Sequence, residues 1–87
     1  MSDFNLKIAS PDGVFFDGAA KKLLVRAKTG DVCILAYHAD YVTPIDKGDA
    51  KITDSTGNER VAHCSGGFLF VKDNIVRLAA ENFSWKD

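Results

Sequence analysis

With 87 residues, 46% of them apolar and 26% charged, the chain has room for one small domain, residues 1–87, and not for two. Its 11 Lys and Arg nearly balance its 12 Asp and Glu, so it presents no long-range field to draw in nucleic acid or an anionic membrane. The apolar runs are too short for a spanning helix, and direct membrane insertion is not expected.

Met1 to Asp3 lead straight into the first patterned segment, with no leader, and this predicts a chain on a cytosol-like side. Phe4, Leu6 and Ile8 then alternate with Asn5 and Lys7, the pattern of a strand with one wet face. The turn signal Pro11-Asp12-Gly13 precedes Val14 to Phe16. From Ala20 to Lys28, Leu23, Val25 and Ala27 alternate with Lys22, Arg26 and Lys28, while Leu24 spoils the alternation and suggests a bulge or a covering loop. Thr29-Gly30-Asp31 turns into the apolar run Val32 to Leu35. Tyr41 to Ile45 reads as extended, with Pro44 confining it to a sheet edge or a strand end.

Asp46 to Asp49 is another turn. Ala50 to Thr53 and Arg60 to Cys64 flank the polar loop Asp54 to Asn58, as in a hairpin. Ser65-Gly66-Gly67 interrupts the next stretch, Phe68 to Val71 is apolar on both faces, and Lys72-Asp73-Asn74 is a tight turn into Ile75 to Ala80. No window offers a capped helix with apolar residues at 3.6 spacing. The expectation is an all-β fold, a small β-sandwich of about nine or ten short strands. Its expected core is Leu6, Ile8, Leu23, Val25, Ile52, Phe68, Phe70, Val76 and Leu78. The tail from Glu81 breaks the pattern; Trp85 in it is either a docked aromatic after the last strand or a contact with another subunit.

Cys33 and Cys64 have no metal spacing. In a reducing compartment they are expected as buried free thiols rather than a bridge. His38 and His63 stand 25 positions apart without a second ligand at chelating distance. His63 and Cys64, as strand neighbours, would point to opposite faces. No phosphate-binding glycine loop and no nucleophile elbow occurs. Ser65-Gly66-Gly67 reads as a conformational feature, because no helix follows it to hold an anion. No catalytic residue, metal or cofactor is therefore expected. Lys47, at a turn beside Asp46, leaves open a carrier domain of lipoyl type modified at that lysine, and a generic β-sandwich adaptor is a further alternative.

Several segments carry a more specific message in their order and spacing. Leu6 to Gly18 is similar to the first hairpin of the epsilon subunit of F-type ATP synthases. Thr29 to Leu35 followed by His38-Ala39 resembles that family's central motif. Asp46-Lys47-Gly48 stands where the family has a Lys-Pro-Gly turn, and Ser65 to Phe68 with Val76 to Glu81 resembles its final hairpin. The chain departs from the family at Cys33, commonly glycine, at Ala36-Tyr37, commonly Pro-Gly, and at Asp40, commonly proline.

The resemblance implies a non-catalytic rotor subunit of the central stalk, linking the gamma subunit to the c-ring and coupling proton translocation to ATP synthesis. It implies a peripheral place on the cytoplasmic face of the bacterial plasma membrane, through the complex. It assigns Thr29, Gly30, Asp31 and Val32 to the c-ring contact, and Ser10, His38, Thr43 and Ser65 to the gamma contact. The family's C-terminal helical hairpin has no counterpart in these residues, so neither a nucleotide site nor a rotational brake is expected on this chain.

Overall fold

A computed structural model of the chain describes residues 3–86. Seven strands follow in order: β1 (Phe4–Ser10), β2 (Gly13–Ala27), β3 (Gly30–Leu35), β4 (Tyr41–Pro44), β5 (Gly48–Asp54), β6 (Glu59–Lys72) and β7 (Ile75–Trp85). Neighbours run β1-β7-β6-β5-β2-β3, β4 lies on β6, and an additional β1–β2 pairing closes the path on itself. The β1–β7 pair is parallel and the others are antiparallel.

The sandwich is thus as expected, but the strands are fewer and longer. β2, β6 and β7 span 15, 14 and 11 residues and pass from one layer into the other. β2 and β6 each join two shorter expected segments, and β7 carries the expected Ile75 to Ala80 on through the tail to Trp85. One layer consists of β4, the second half of β6, the first half of β7, β1 and the first half of β2. The other consists of β3, the second half of β2, β5, the first half of β6 and the end of β7.

Long strands serve two layers only if they bend, and the bends have local causes. On β2, Phe15 and Lys21 are extra residues where the registers with β1 and β5 slip, and such bulges sharpen twist. Leu24, by contrast, lies in unbroken register opposite Cys33 and Lys51 and is half-buried. On β6, Gly66 and Gly67 adopt φ of +72° and +112°, values that side-chain-bearing residues seldom take.

This bend overturns two expected core positions. Ala62 and Cys64 are buried ahead of it, but the inward series resumes at Leu69 and Val71, leaving Phe68 and Phe70 50% and 42% exposed. β7 makes the same slip, from Val76, Leu78 and Ala80 to Phe83. The other expected core residues, Leu6, Ile8, Leu23, Val25, Ile52, Val76 and Leu78, are all buried. Phe83 packs on Phe15 at 5.0 Å and edge-on to Trp85 at 5.2 Å, with the Arg60 guanidinium 3.7 Å from the Trp85 ring centre. Trp85 is thereby a docked aromatic of the core margin.

Both cysteines are free, but only Cys64 is buried; Cys33 is exposed because β3 points Ile34 inward and its neighbours out.

Candidate partner interfaces

Strand alternation decides what the two outer faces of the sandwich present. On the layer containing β4, the registers place Pro44 beside Phe68, Phe68 beside Ala79, Ala79 beside Ala9, and Ala9 beside Val14. Five strands contribute one apolar residue each to a single row. At the usual strand spacing this row is about 19 Å long. The next row begins Val42, Phe70 and continues into Arg77, Lys7 and Asp17. Val42 is 63% and Val14 57% exposed, and the Phe68 and Phe70 rings lie 6.2 Å apart. A contiguous apolar surface of this kind marks a contact site, whereas scattered apolar residues do not.

The opposite outer face is mixed: Cys33, Leu24 and Val61 share a row with Lys51, and Leu35 is 53% exposed beside Lys22, but one row of it is built from charge pairs. Asp31 lies beside Arg26, and Asp49 beside His63, which lies beside Ser84. Arg26 donates to Asp31 at 2.7 Å, Lys86 to Asp49 at 3.1 Å, and His63 Nδ1 is 3.7 Å from Asp49. The hydrogen bond from Lys86 is the largest effect holding the Asp49 carboxyl below its ordinary range. These pairs are exposed and contribute little stability, but they keep this row wet.

Three of the residues assigned to gamma border the apolar face, and one does not reach it. Ser10 ends β1 one residue past Ala9, its hydroxyl accepting the Asp12 N–H at 3.1 Å. Ser65 is half-buried before the glycine pair and accepts from Asn82 Nδ2 at 3.4 Å. His38 is half-buried at the other end of the face, its Nδ1 donating to the Ala39 carbonyl at 2.7 Å and its ring 5.9 Å from Tyr41. Thr43 is 3% exposed and turned inward, with Oγ1 3.4 Å from the Pro44 carbonyl. Its neighbours Val42 and Pro44 hold the outward positions of β4.

Thr29, Gly30, Asp31 and Val32 form one feature, the tip of the β2–β3 hairpin. Ala27 pairs with Gly30 across the two-residue loop Lys28-Thr29, and Gly30 takes φ of +125°. The tip is braced from the side. Lys28 N–H donates to the Pro44 carbonyl at 3.2 Å, and Asp46 N–H to the Arg26 carbonyl at 2.9 Å. Thr29, Gly30 and Asp31 are exposed while Val32 packs on the core. Because β3 runs away from this tip and His38 follows its far end, His38 lies at the opposite end of the domain from the tip, whereas Ser65 lies on the tip's side, where Lys28 shares a surface depression with Gly66, Gly67 and Phe68. Lys47 is exposed in its turn, where its N–H donates to the side-chain Oδ1 of the preceding Asp46 at 2.8 Å, as polar turn residues commonly bond to their neighbouring backbone.

The apolar face escaped the sequence reading. Its signal lies in Gly66-Gly67: a break in alternation there turns Phe68 and Phe70 from core into surface.

Comparison with known proteins agrees with this architecture. The family described as ATP synthase, Delta/Epsilon chain, beta-sandwich domain matches residues 3–86. The chain is 31% identical over 87 residues to the ATP synthase epsilon chain of Exiguobacterium sp., covering all of this chain and 64% of that one. It is 36% identical over 78 residues to the ATP synthase epsilon chain of Latilactobacillus sakei, covering 87% and 54%. It therefore spans somewhat over half the length of these relatives.

Among solved structures, its fold is similar to a chain in the Euglena gracilis mitochondrial ATP synthase OSCP/F1/c-ring assembly, with a TM-score of 0.90 at 20% identity, covering 98% of this chain and 54% of that one. A chain of the Tetrahymena thermophila mitochondrial ATP synthase central stalk and c-ring gives 0.77 at 16% identity, covering 92% and 64%. With a family match over residues 3–86, nearly its whole length, the chain belongs to the ATP synthase delta/epsilon chain family, as its β-sandwich domain.

Proposed function

We propose that the chain serves as a non-catalytic coupling module of an F-type ATP synthase rotor, seated between the gamma subunit and the c-ring. In that place it helps to couple proton translocation to ATP synthesis, peripheral to the cytoplasmic face of a bacterial plasma membrane. The observation that carries the reading is the contrast between its two outer faces. One face offers an unbroken row of five apolar residues across five strands, whereas the other interrupts its apolar residues with Lys22 and Lys51 and carries a row of charge pairs. A body with one more adhesive and one more polar face suits a stalk subunit held on one side.

In this reading gamma covers the apolar face, with Ser10, Ser65 and His38 at its border. Thr43 supports that contact from within, by holding β4 so that Val42 and Pro44 face out. The Thr29–Val32 tip meets the polar loops of the c-ring, and Asp31 there favours register more than affinity. Relatives named epsilon chain and fold neighbours from central-stalk and c-ring assemblies support the assignment.

The test is reconstitution with the remaining ATP synthase subunits of the same organism. Addition of this chain is expected to restore proton pumping. Asp31→Lys is expected to weaken assembly on the c-ring at low salt, with a milder effect at high salt as screening grows. Pumping indifferent to the chain would overturn the function, and an Asp31→Lys protein that assembles like the parent at low salt would remove the tip's role.

A further inference from the structure

Leu35 to His38 forms a tight turn, closed by the His38 N–H on the Leu35 carbonyl at 3.2 Å. Its third residue, Tyr37, has φ of +61°. A turn with positive φ only at that position is of type II and favours glycine there, because a Cβ crowds the backbone. Tyr37 takes the conformation all the same. Its N–H is held by Asn74 Oδ1 at 2.7 Å, and Asn74 Nδ2 in turn grips the Asp3 carbonyl at 2.9 Å. The ring gains no burial in return: at 74% it is the most exposed of the large apolar residues on the surface. An aromatic side chain kept in a costly conformation, braced from behind and left in solvent, has no folding rationale. Strain of this kind belongs to contact sites.

The surroundings indicate what it contacts. Val42, Phe70 and Ile75 continue the apolar face up to this end of the domain, since Ile75 directly follows Asn74. The same loops carry Asp40 and Asp73, joined where the Asp73 N–H approaches Asp40 Oδ1 at 3.4 Å. We propose that Tyr37 is a partner-reading anchor at the gamma-facing margin of the domain, receiving an arginine of the gamma subunit that stacks on its ring and pairs with Asp40 and Asp73. Arginine fits because it combines a flat cation for an aromatic face with a fork for carboxylates. Tyrosine is well suited to the role, since it offers large contact area with little side-chain entropy to lose.

The inference rests on the gamma contact proposed above, and Tyr37→Gly separates the two. Glycine suits the turn, so its Tm is expected to equal the parent's or exceed it by a few degrees. Its affinity for the isolated gamma subunit of the same organism is expected to fall about tenfold, as for a hot-spot residue. A merely structural tyrosine would give the reverse, a lower Tm with unchanged affinity. The pair Asp40→Asn with Asp73→Asn is expected to reduce the salt dependence of binding. If the parent binds gamma and Tyr37→Gly binds within twofold of it, Tyr37 is no anchor and only this inference falls. Salt dependence left intact in the Asn pair rejects the arginine. If the parent itself fails to bind gamma, the functional reading falls first, and this one with it.

Discussion

Gly67 of β6 approaches the β7 backbone so closely that a Cβ built on it would overlap the Ala79 carbonyl oxygen. The contact sits where both strands bend from one layer into the other, and it requires φ of +112° at Gly67. Gly67→Ala would have to adopt an unfavourable backbone and push β7 away. Denaturant unfolding is expected to show a loss of about 2–4 kcal/mol, from the forbidden φ and the overlap together. A loss below 0.5 kcal/mol would mean that the strands part at no cost, and that the bend does not depend on this glycine.

The inward and outward phases on either side of that bend make opposite predictions. Leu78 is 1% exposed and central to the core, so Leu78→Ala is expected to cost about 2–5 kcal/mol. Phe70→Ser removes a larger side chain, but one that is 42% exposed on the outer face. Its cost is expected to stay below about 1 kcal/mol, near the range of surface substitutions. Urea titrations of both variants check the assignment, and equal losses would place Phe70 back in the core.

The outward phase of Phe70 is not legible in the sequence. The periodicity at Phe4, Leu6 and Ile8 and at Leu23 and Val25 is unambiguous, because polar residues occupy the alternate positions. From Phe68 to Val71 all four residues are apolar, so alternation carries no phase there, and only the conformation of Gly66 and Gly67 sets it. The same blindness hid the joining of strands. Bulges at Phe15 and Lys21 let β2 continue where a break was expected. The hairpin at Asp73-Asn74 was readable because Lys72-Asp73-Asn74 is turn chemistry, and both central residues adopt positive φ. Thr43 was assigned to gamma by resemblance alone; its inward direction follows from pairing with Leu69, which no local pattern reports.

The two thiols are expected to behave differently. Cys33 is exposed, so a thiol reagent at pH 8 should label it in the folded protein, while Cys64 reacts only after unfolding. Burial pushes the Cys64 thiol up from 9.0 to about 11. The folded state thus holds this proton more tightly than the unfolded chain. Its contribution to stability is fully present below pH 9 and is lost as pH rises through about 11. In Cys64→Ala this alkaline decline should be weaker, as followed by thermal melts between those values. Mass spectrometry showing two rapid labels on native protein would contradict the burial of Cys64.

The central claim is that the apolar row from Pro44 to Val14 is covered by the gamma subunit, and Phe68 stands in that row. The most direct measurement is the affinity of Phe68→Asp for the isolated gamma subunit of the same organism, alongside the parent, by titration calorimetry. With Phe68 half exposed, the variant should keep its fold, as its melting curve will report. Its dissociation constant is predicted to rise at least about tenfold, since a charge then has to be desolvated within an apolar contact. A folded Phe68→Asp protein that binds gamma with the parent's affinity would contradict the account.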